Sequence, residues 1–179
     1  MSEVRRGEDT LLGRPVAVKL LLDYGDPRSV ALFQQEAQIL ARLHHPNVIS
    51  VFDTGVDGGD RFIVMELVEG PTLRELLDTD GPLAPERACE IASRLASALG
   101  FAHGKAVIHR DVKPSNVLLS TEGVVKLADM GIARLLSPEA LTATLSVRGT
   151  ALYISPEQVR GDRVDRRADL YSLGCVLFE

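Results

Sequence analysis

Few features that would assign this chain to a special class are present. The 179 residues include only two cysteines, Cys89 and Cys175, and no Cys-x-x-Cys pair, so neither a disulfide framework nor a cysteine-ligated metal is indicated. Both are expected to be buried, reduced packing residues. No run approaches the roughly 18 apolar residues of a membrane span, and the N-terminus lacks the apolar core of a signal peptide, which predicts a cytoplasmic piece. Twenty basic and 25 acidic residues give a formal charge of -5 without long blocks of either sign, which argues against a general nucleic-acid binder. Internal repeats and low-complexity tracts are lacking as well.

What is present suits a packed core, with a hydrophobic share of 45%. The first third alternates apolar and polar residues in short runs, at 16–22, 48–52 and 61–68, that read as strands. Asp57-Gly58-Gly59-Asp60 is a hairpin-turn signal between the last two. One helix interrupts them, opened by Asp26-Pro27 and carrying Phe33, Ala37, Leu40 and Leu43 up to His44-His45-Pro46. From Thr72 onward helices dominate, first over 72–77 and then over 85–103, with Gly104 as the cap. A hairpin follows, 117–119 with 124–127, and the segment 132–149 is weakly periodic and reads as a mobile loop. The shift near Gly70-Pro71 predicts two parts, a strand-rich 1–70 with a hinge near 66–70 and a helix-rich 71–179, with a ligand cleft between them.

The chemistry concentrates in His109-Arg110-Asp111-Val112-Lys113-Pro114-Ser115-Asn116. Asp111, beside Arg110 and close to Lys113, is placed to stay ionised and accept a proton from an attacking hydroxyl. Lys113 would neutralise charge on a transferred phosphoryl group. Asn116 supplies a neutral oxygen suited to a hard divalent cation, and Asp129, after the second strand of the hairpin, offers a carboxylate to the same metal. Gly131 lets the chain turn there. Taken singly, Asp111 and Lys113 also fit a surface ion pair, and Asp129 fits a strand-end turn.

Together these residues resemble the catalytic core of the eukaryotic-type serine/threonine protein kinases, with a bacterial flavour, over nearly the whole chain. Val16-Ala17-Val18-Lys19 resembles the Val-Ala-Ile-Lys strand, which implies that Lys19 contacts the α- and β-phosphates of ATP and that Glu36 is its ion-pair partner. His109-Arg110-Asp111 with Asn116 resembles the catalytic loop, and Asp129-Met130-Gly131 stands where the family has Asp-Phe-Gly. Methionine at 130 is apolar and flexible enough to fill the aromatic's packing site. Ser155-Pro156-Glu157 resembles Ala-Pro-Glu, Asp169 matches the buried aspartate that braces the catalytic loop, and His109 becomes a structural residue.

By the same resemblance Val4 and Ala17 cover an adenine from above, Leu118 forms its floor and Met65 stands at the back, while Glu66 and Val68 offer hinge hydrogen bonds. Each of these is also an ordinary core or strand residue. The implied fold is α+β, a two-lobed protein-kinase-like architecture, and the implied cofactors are ATP and magnesium, with manganese as the alternative ion. Lys113 in Asp-x-Lys-Pro-x-Asn and Thr150 before Ser-Pro-Glu imply protein serine and threonine hydroxyls as acceptors. Thr142 and Thr144, near Ser146, resemble paired autophosphorylation sites whose phosphates Arg110 and Arg134 would receive, although they also read as plain loop hydroxyls.

The family's glycine-rich phosphate loop is not found: Met1-Ser2-Glu3-Val4 looks like the strand that follows it, and Gly7, Gly13 and Gly25 do not replace its glycines. The chain also stops at Phe178-Glu179 inside an apolar helix. The expectation is a catalytic domain truncated at both ends, with weak or no activity as 179 residues alone. The competing expectation is a non-catalytic kinase-like module that binds nucleotide or protein.

Overall fold

A computed structural model describes residues 2–22, 26–129 and 150–179. The fold is α+β. Strands β1 (Ser2–Asp9), β2 (Arg14–Leu21), β3 (Val51–Asp57) and β4 (Asp60–Glu66) form one antiparallel sheet in the order β1-β2-β4-β3, with helix α1 (Pro27–Leu40) inserted between β2 and β3. Helices α2 (Leu73–Asp80) and α3 (Pro85–Gly104) follow, then a 3-10 turn (Pro114–Asn116), the hairpin β5 (Val117–Leu119) and β6 (Val125–Leu127), and helices α4 (Pro156–Arg160) and α5 (Arg167–Phe178).

Local chemistry accounts for most element ends. Asp26 caps α1 by accepting from the backbone N–H of Arg28 and Ser29 at 3.0 and 3.2 Å, and Pro27 supplies the preset first turn. Thr72 and Glu75 form a capping box at the start of α2, each side chain accepting from the other's backbone N–H, at 3.1 and 2.7 Å. The β3–β4 turn places Gly58 at φ 56° and Gly59 at φ 100°, the pair of positive angles that a two-residue hairpin loop demands.

Strand β3 begins at Val51, later than the 48–52 run predicted, and continues to Asp57. The reason is a competing partner. Residues 47–49 are taken up by β6, with Ile49 N donating to Leu127 O at 3.0 Å, Leu127 N to Asn47 O at 2.9 Å and the buried Asn47 side chain to Val125 O at 2.8 Å. Gly104 is the last residue of α3, and Lys105 takes the cap position expected of it.

The main core joins Ala17 and Met65 of the sheet to Ile91, Leu95, Ala98, Leu99 and Ala102 along one face of α3, to Val117 and Leu127 of the hairpin, and to Val176 of α5. A smaller cluster of Leu21, Phe33, Ala37 and Ile63 seats α1 on the sheet. Cys175 is half-buried as a packing residue, but Cys89 is exposed, contrary to expectation; it lies on α3 outside the buried Ile91, Leu95 and Ala98 stripe.

The chain after β4 runs against β5, with Leu119 N donating to Pro71 O and Thr121 N to Glu69 O, both at 2.9 Å. Gly70 makes that approach, at φ 147°, where a Cβ would lie 2.0 Å from Leu119 O. Gly70→Ala is expected to lower unfolding stability by about 2 kcal/mol or more, whereas Gly100→Ala, in the interior of α3 with open space around it, should raise it by about 0.5–1 kcal/mol. Chemical denaturation of the two variants checks both signs.

Candidate active site

Alternation along β2 sends Ala17, Lys19 and Leu21 to the sheet face that α1 covers. On α1 the buried Phe33, Ala37 and Leu40 fix the helix rotation, and Glu36 is carried beside that stripe toward β2. The Lys19 ammonium lies 2.7 Å from Glu36 Oε1 and 2.8 Å from Asp129 Oδ1, with only 7% of the residue exposed. Burial disfavours the charged ammonium, but Asp129 and Glu36 outweigh it and hold its pKa above the ordinary lysine value. At Glu36 burial wins over the pull of Lys19, and its pKa lies above the ordinary 4.5.

The loop after α3 is held by polar groups from α5 and from the end of β6. Asp169 of α5, fully buried, accepts from the backbone N–H of His109 at 2.9 Å and of Arg110 at 2.7 Å, and pairs with His103 Nε2 at 2.7 Å. These bonds keep Arg110 at φ 66°, a region that non-glycine residues seldom adopt. His109, fully buried, has its pKa lowered by burial. Its two ring contacts fit the neutral form: Nε2 donates to Ala128 O at 3.1 Å, and Nδ1 accepts from Asp111 N at 3.2 Å.

The Asp111 carboxylate is thereby aimed at its partners. Asn116 Nδ2 donates to Asp111 O at 2.8 Å and Asp111 Oδ2 at 3.1 Å, and Lys113 Nζ lies 2.9 Å from the same oxygen. With side-chain exposures of 16% and 20%, Asp111 and Lys113 form a half-buried ion pair. Ala128 N donates to Asn116 O at 2.9 Å, so the residue before Asp129 is locked to the end of the loop. Asp129 has φ 55°, and its side chain is half exposed.

Two oxygens here could serve a divalent cation: the Asn116 amide oxygen, turned from Asp111 because Nδ2 takes that side, and the Asp129 carboxylate. Among the described residues no three His, Cys, Asp or Glu side chains converge as a metal cage. Two hard oxygens without a cage fit a hard divalent cation that keeps several waters in its shell.

Comparison with known sequences bears on the family. A family model described as protein kinase domain matches residues 1–179. The chain belongs to the protein kinase domain family. It is 50% identical to a serine/threonine-protein kinase PknB of Mycolicibacterium smegmatis, covering all of this chain and 30% of that protein. It is 49% identical to a probable serine/threonine-protein kinase of Streptomyces coelicolor, over all of this chain and 28% of the relative. A probable serine/threonine-protein kinase PknB of Lactococcus lactis is 44% identical, with 29% of its length covered. The chain thus spans about 30% of the length of the curated relatives it matches.

In this kinase domain three of the residues expected around adenine, Val4, Ala17 and Met65, share one sheet face. Val4 pairs with Lys19 across β1–β2, and Ala17 with Met65 across β2–β4, while Leu118 packs against the cluster that contains Ala17 and Met65. Val4 stands apart from that cluster, at 54% exposure. The Glu66 amide is already engaged, donating to Ser50 O at 2.9 Å, and its carboxylate pairs with Lys126 at 2.6 Å. Val68 packs against the main core.

Met130, Gly131, Arg134, Thr142, Thr144 and Ser146 lie outside the described residues. Two residues that the sequence reading passed over carry part of the frame: Asn47, through its bond to Val125 O, and Gln158, whose side chain reaches Arg110 O at 3.0 Å. Asn47 follows a His-Pro helix stop, where asparagine is common in turns, and Gln158 follows Ser-Pro-Glu without any periodicity to mark it.

Because the folded-state pKa of Glu36 is raised, this group contributes most to stability below pH 4.5, and that contribution is lost as pH rises through the raised value. A carboxyl-carbon NMR titration is expected to place the Glu36 midpoint above 4.5, and Lys19→Met should move it further up by removing the ammonium that opposes the shift. A midpoint at or below 4.5 in either form contradicts this account of the pair.

Proposed function

We propose that this kinase domain transfers the γ-phosphoryl group of ATP to serine and threonine hydroxyls of proteins. The observation that carries the reading is the Asp111 carboxylate, held by Asn116 and Lys113, with Asp129 and Lys19 brought to the same side by the Ala128–Asn116 bond and the Lys19–Asp129 pair. The acceptor oxygen bonds to the γ-phosphorus, its proton passes to Asp111, and the bond from that phosphorus to the bridging oxygen breaks to release ADP. Lys113 offsets charge on the transferred group, and Lys19, kept charged by Glu36 and Asp129, binds the α- and β-phosphates.

Asn116 and Asp129 would hold magnesium, or manganese in its place; such an ion neutralises phosphate charge. Val4, Ala17, Met65 and Leu118 would enclose the adenine, with the Glu66 and Val68 backbone along a hinge at 66–70 dividing the strand-rich lobe from the helix-rich one. The intact set of Lys19, Asp111, Asn116 and Asp129 favours catalysis over a binding-only module. No helix among the described residues is long and apolar enough to cross a membrane.

The test is magnesium-dependent phosphate transfer to a casein acceptor by the complete reading frame that contains these residues. Asp111→Asn is expected to reduce kcat by about 10²–10⁴-fold while leaving ATP binding in place. Equal turnover by wild type and Asp111→Asn would sink the reading. Phosphorylation at Thr142 and Thr144 is proposed to activate the domain, the added charge pairing with Arg110 and Arg134. The Thr142→Ala, Thr144→Ala double variant should then be less active than wild type, and full activity in that variant would remove this part of the proposal.

A further inference from the structure

Gln158, the third residue of α4, is 5% exposed and uses both ends of its amide. Its Oε1 accepts from Ser155 Oγ at 3.0 Å and from Ser155 N at 3.3 Å, and its Nε2 donates to Arg110 O at 3.0 Å. The first pair of contacts caps a short helix, and a cap needs nothing more. The second crosses to the loop that carries Asp111.

The carbonyl that Gln158 reaches belongs to the peptide unit joining Arg110 to Asp111. The N–H of that same unit donates to His109 Nδ1 at 3.2 Å, so both polar ends of the peptide are tied. Asp169 holds the preceding N–H but does not touch this peptide plane. Arg110 sits at φ 66°, a conformation that persists only when its surroundings over-determine it. Rotation of this plane moves the Asp111 Cα–Cβ direction, and with it the carboxylate that would take the proton.

We propose that Gln158 is a positioning residue for Asp111: its amide fixes the Arg110–Asp111 peptide plane, and Ser155, by holding Oε1, orients that amide. This rests on the phosphoryl-transfer reading above. Serine at 155, in place of the alanine of Ala-Pro-Glu, thereby acquires a role, since its hydroxyl supplies the shorter of the two bonds to Oε1.

The test is steady-state kinetics with ATP, magnesium and casein on the complete reading frame. Gln158→Met keeps the length and loses the donor; kcat is expected to fall roughly 10- to 100-fold, with KM for ATP within about twofold of wild type. Gln158→Glu should show a similar fall at pH 8. Its kcat relative to wild type should recover toward pH 6, because a protonated carboxyl can donate to Arg110 O and an ionised one cannot. Ser155→Ala should lower kcat less than Gln158→Met does, and add nothing in the Gln158→Met background.

Wild-type kcat in a folded Gln158→Met variant, or additive effects of the two substitutions, overturns the proposal. If Gln158→Met does not fold, a Gln158→Glu to wild-type ratio that stays flat with pH overturns it. Failure of the underlying reading is distinguishable, because wild type itself then transfers no phosphate and both proposals fall together.

Discussion

A carboxylate without solvent access must be satisfied by the protein around it, and Asp169 is satisfied by two backbone amides of one loop and a histidine of α3. Leaving a charged group of this kind unpaired costs several kcal/mol, so the loop cannot relax from α5 without a large penalty. The unfavourable φ of Arg110 is tolerated because of this coupling. Everything downstream inherits it: the neutral His109 ring, the direction of Asp111, and the turn that brings Asn116 back onto Asp111. The site is therefore held from below by a helix that contributes no group to the chemistry itself.

The upper side depends on a different balance. Lys19 is nearly buried, and two carboxylates from distant parts of the chain, 17 and 110 residues away, keep it charged. Such a triad contributes little net stability, because desolvation cancels most of the attraction. Its value lies in register: the strand, the helix and the end of β6 meet at one ammonium.

Much of this was legible in the sequence. The spacing of Asp111 and Asn116 pointed to phosphoryl chemistry, the family resemblance added Lys19, Glu36 and Asp169, and Asp26-Pro27 marked a helix start by local chemistry alone. The start of β3 was misplaced because 47–49 alternates like a strand yet finds its partner in β6, almost 80 residues away, which no local pattern encodes. Cys89 was expected inside because its helix is apolar on average, whereas burial follows a single stripe of α3. Gln158 escaped notice for a related reason. Its worth lies in one long-range bond to a carbonyl, and polar side chains that serve distant backbone leave no periodic trace.

The tie between Asn47 and the β5–β6 hairpin also anchors the chain just after α1. Leu40, the last residue of the helix, and Leu43, three residues beyond it, are buried, and the chain is then pinned to the strand that leads to Asp129. Were α1 to tilt, that end would be the fulcrum. Glu36 lies four residues from it, a lever arm of roughly 6 Å, so an angular swing on the order of ten degrees suffices to carry Glu36 out of hydrogen-bonding reach of Lys19. Asp129 lies on the stationary side of the fulcrum. A small tilt of one helix would thus release one carboxylate from the ammonium and leave the other in place.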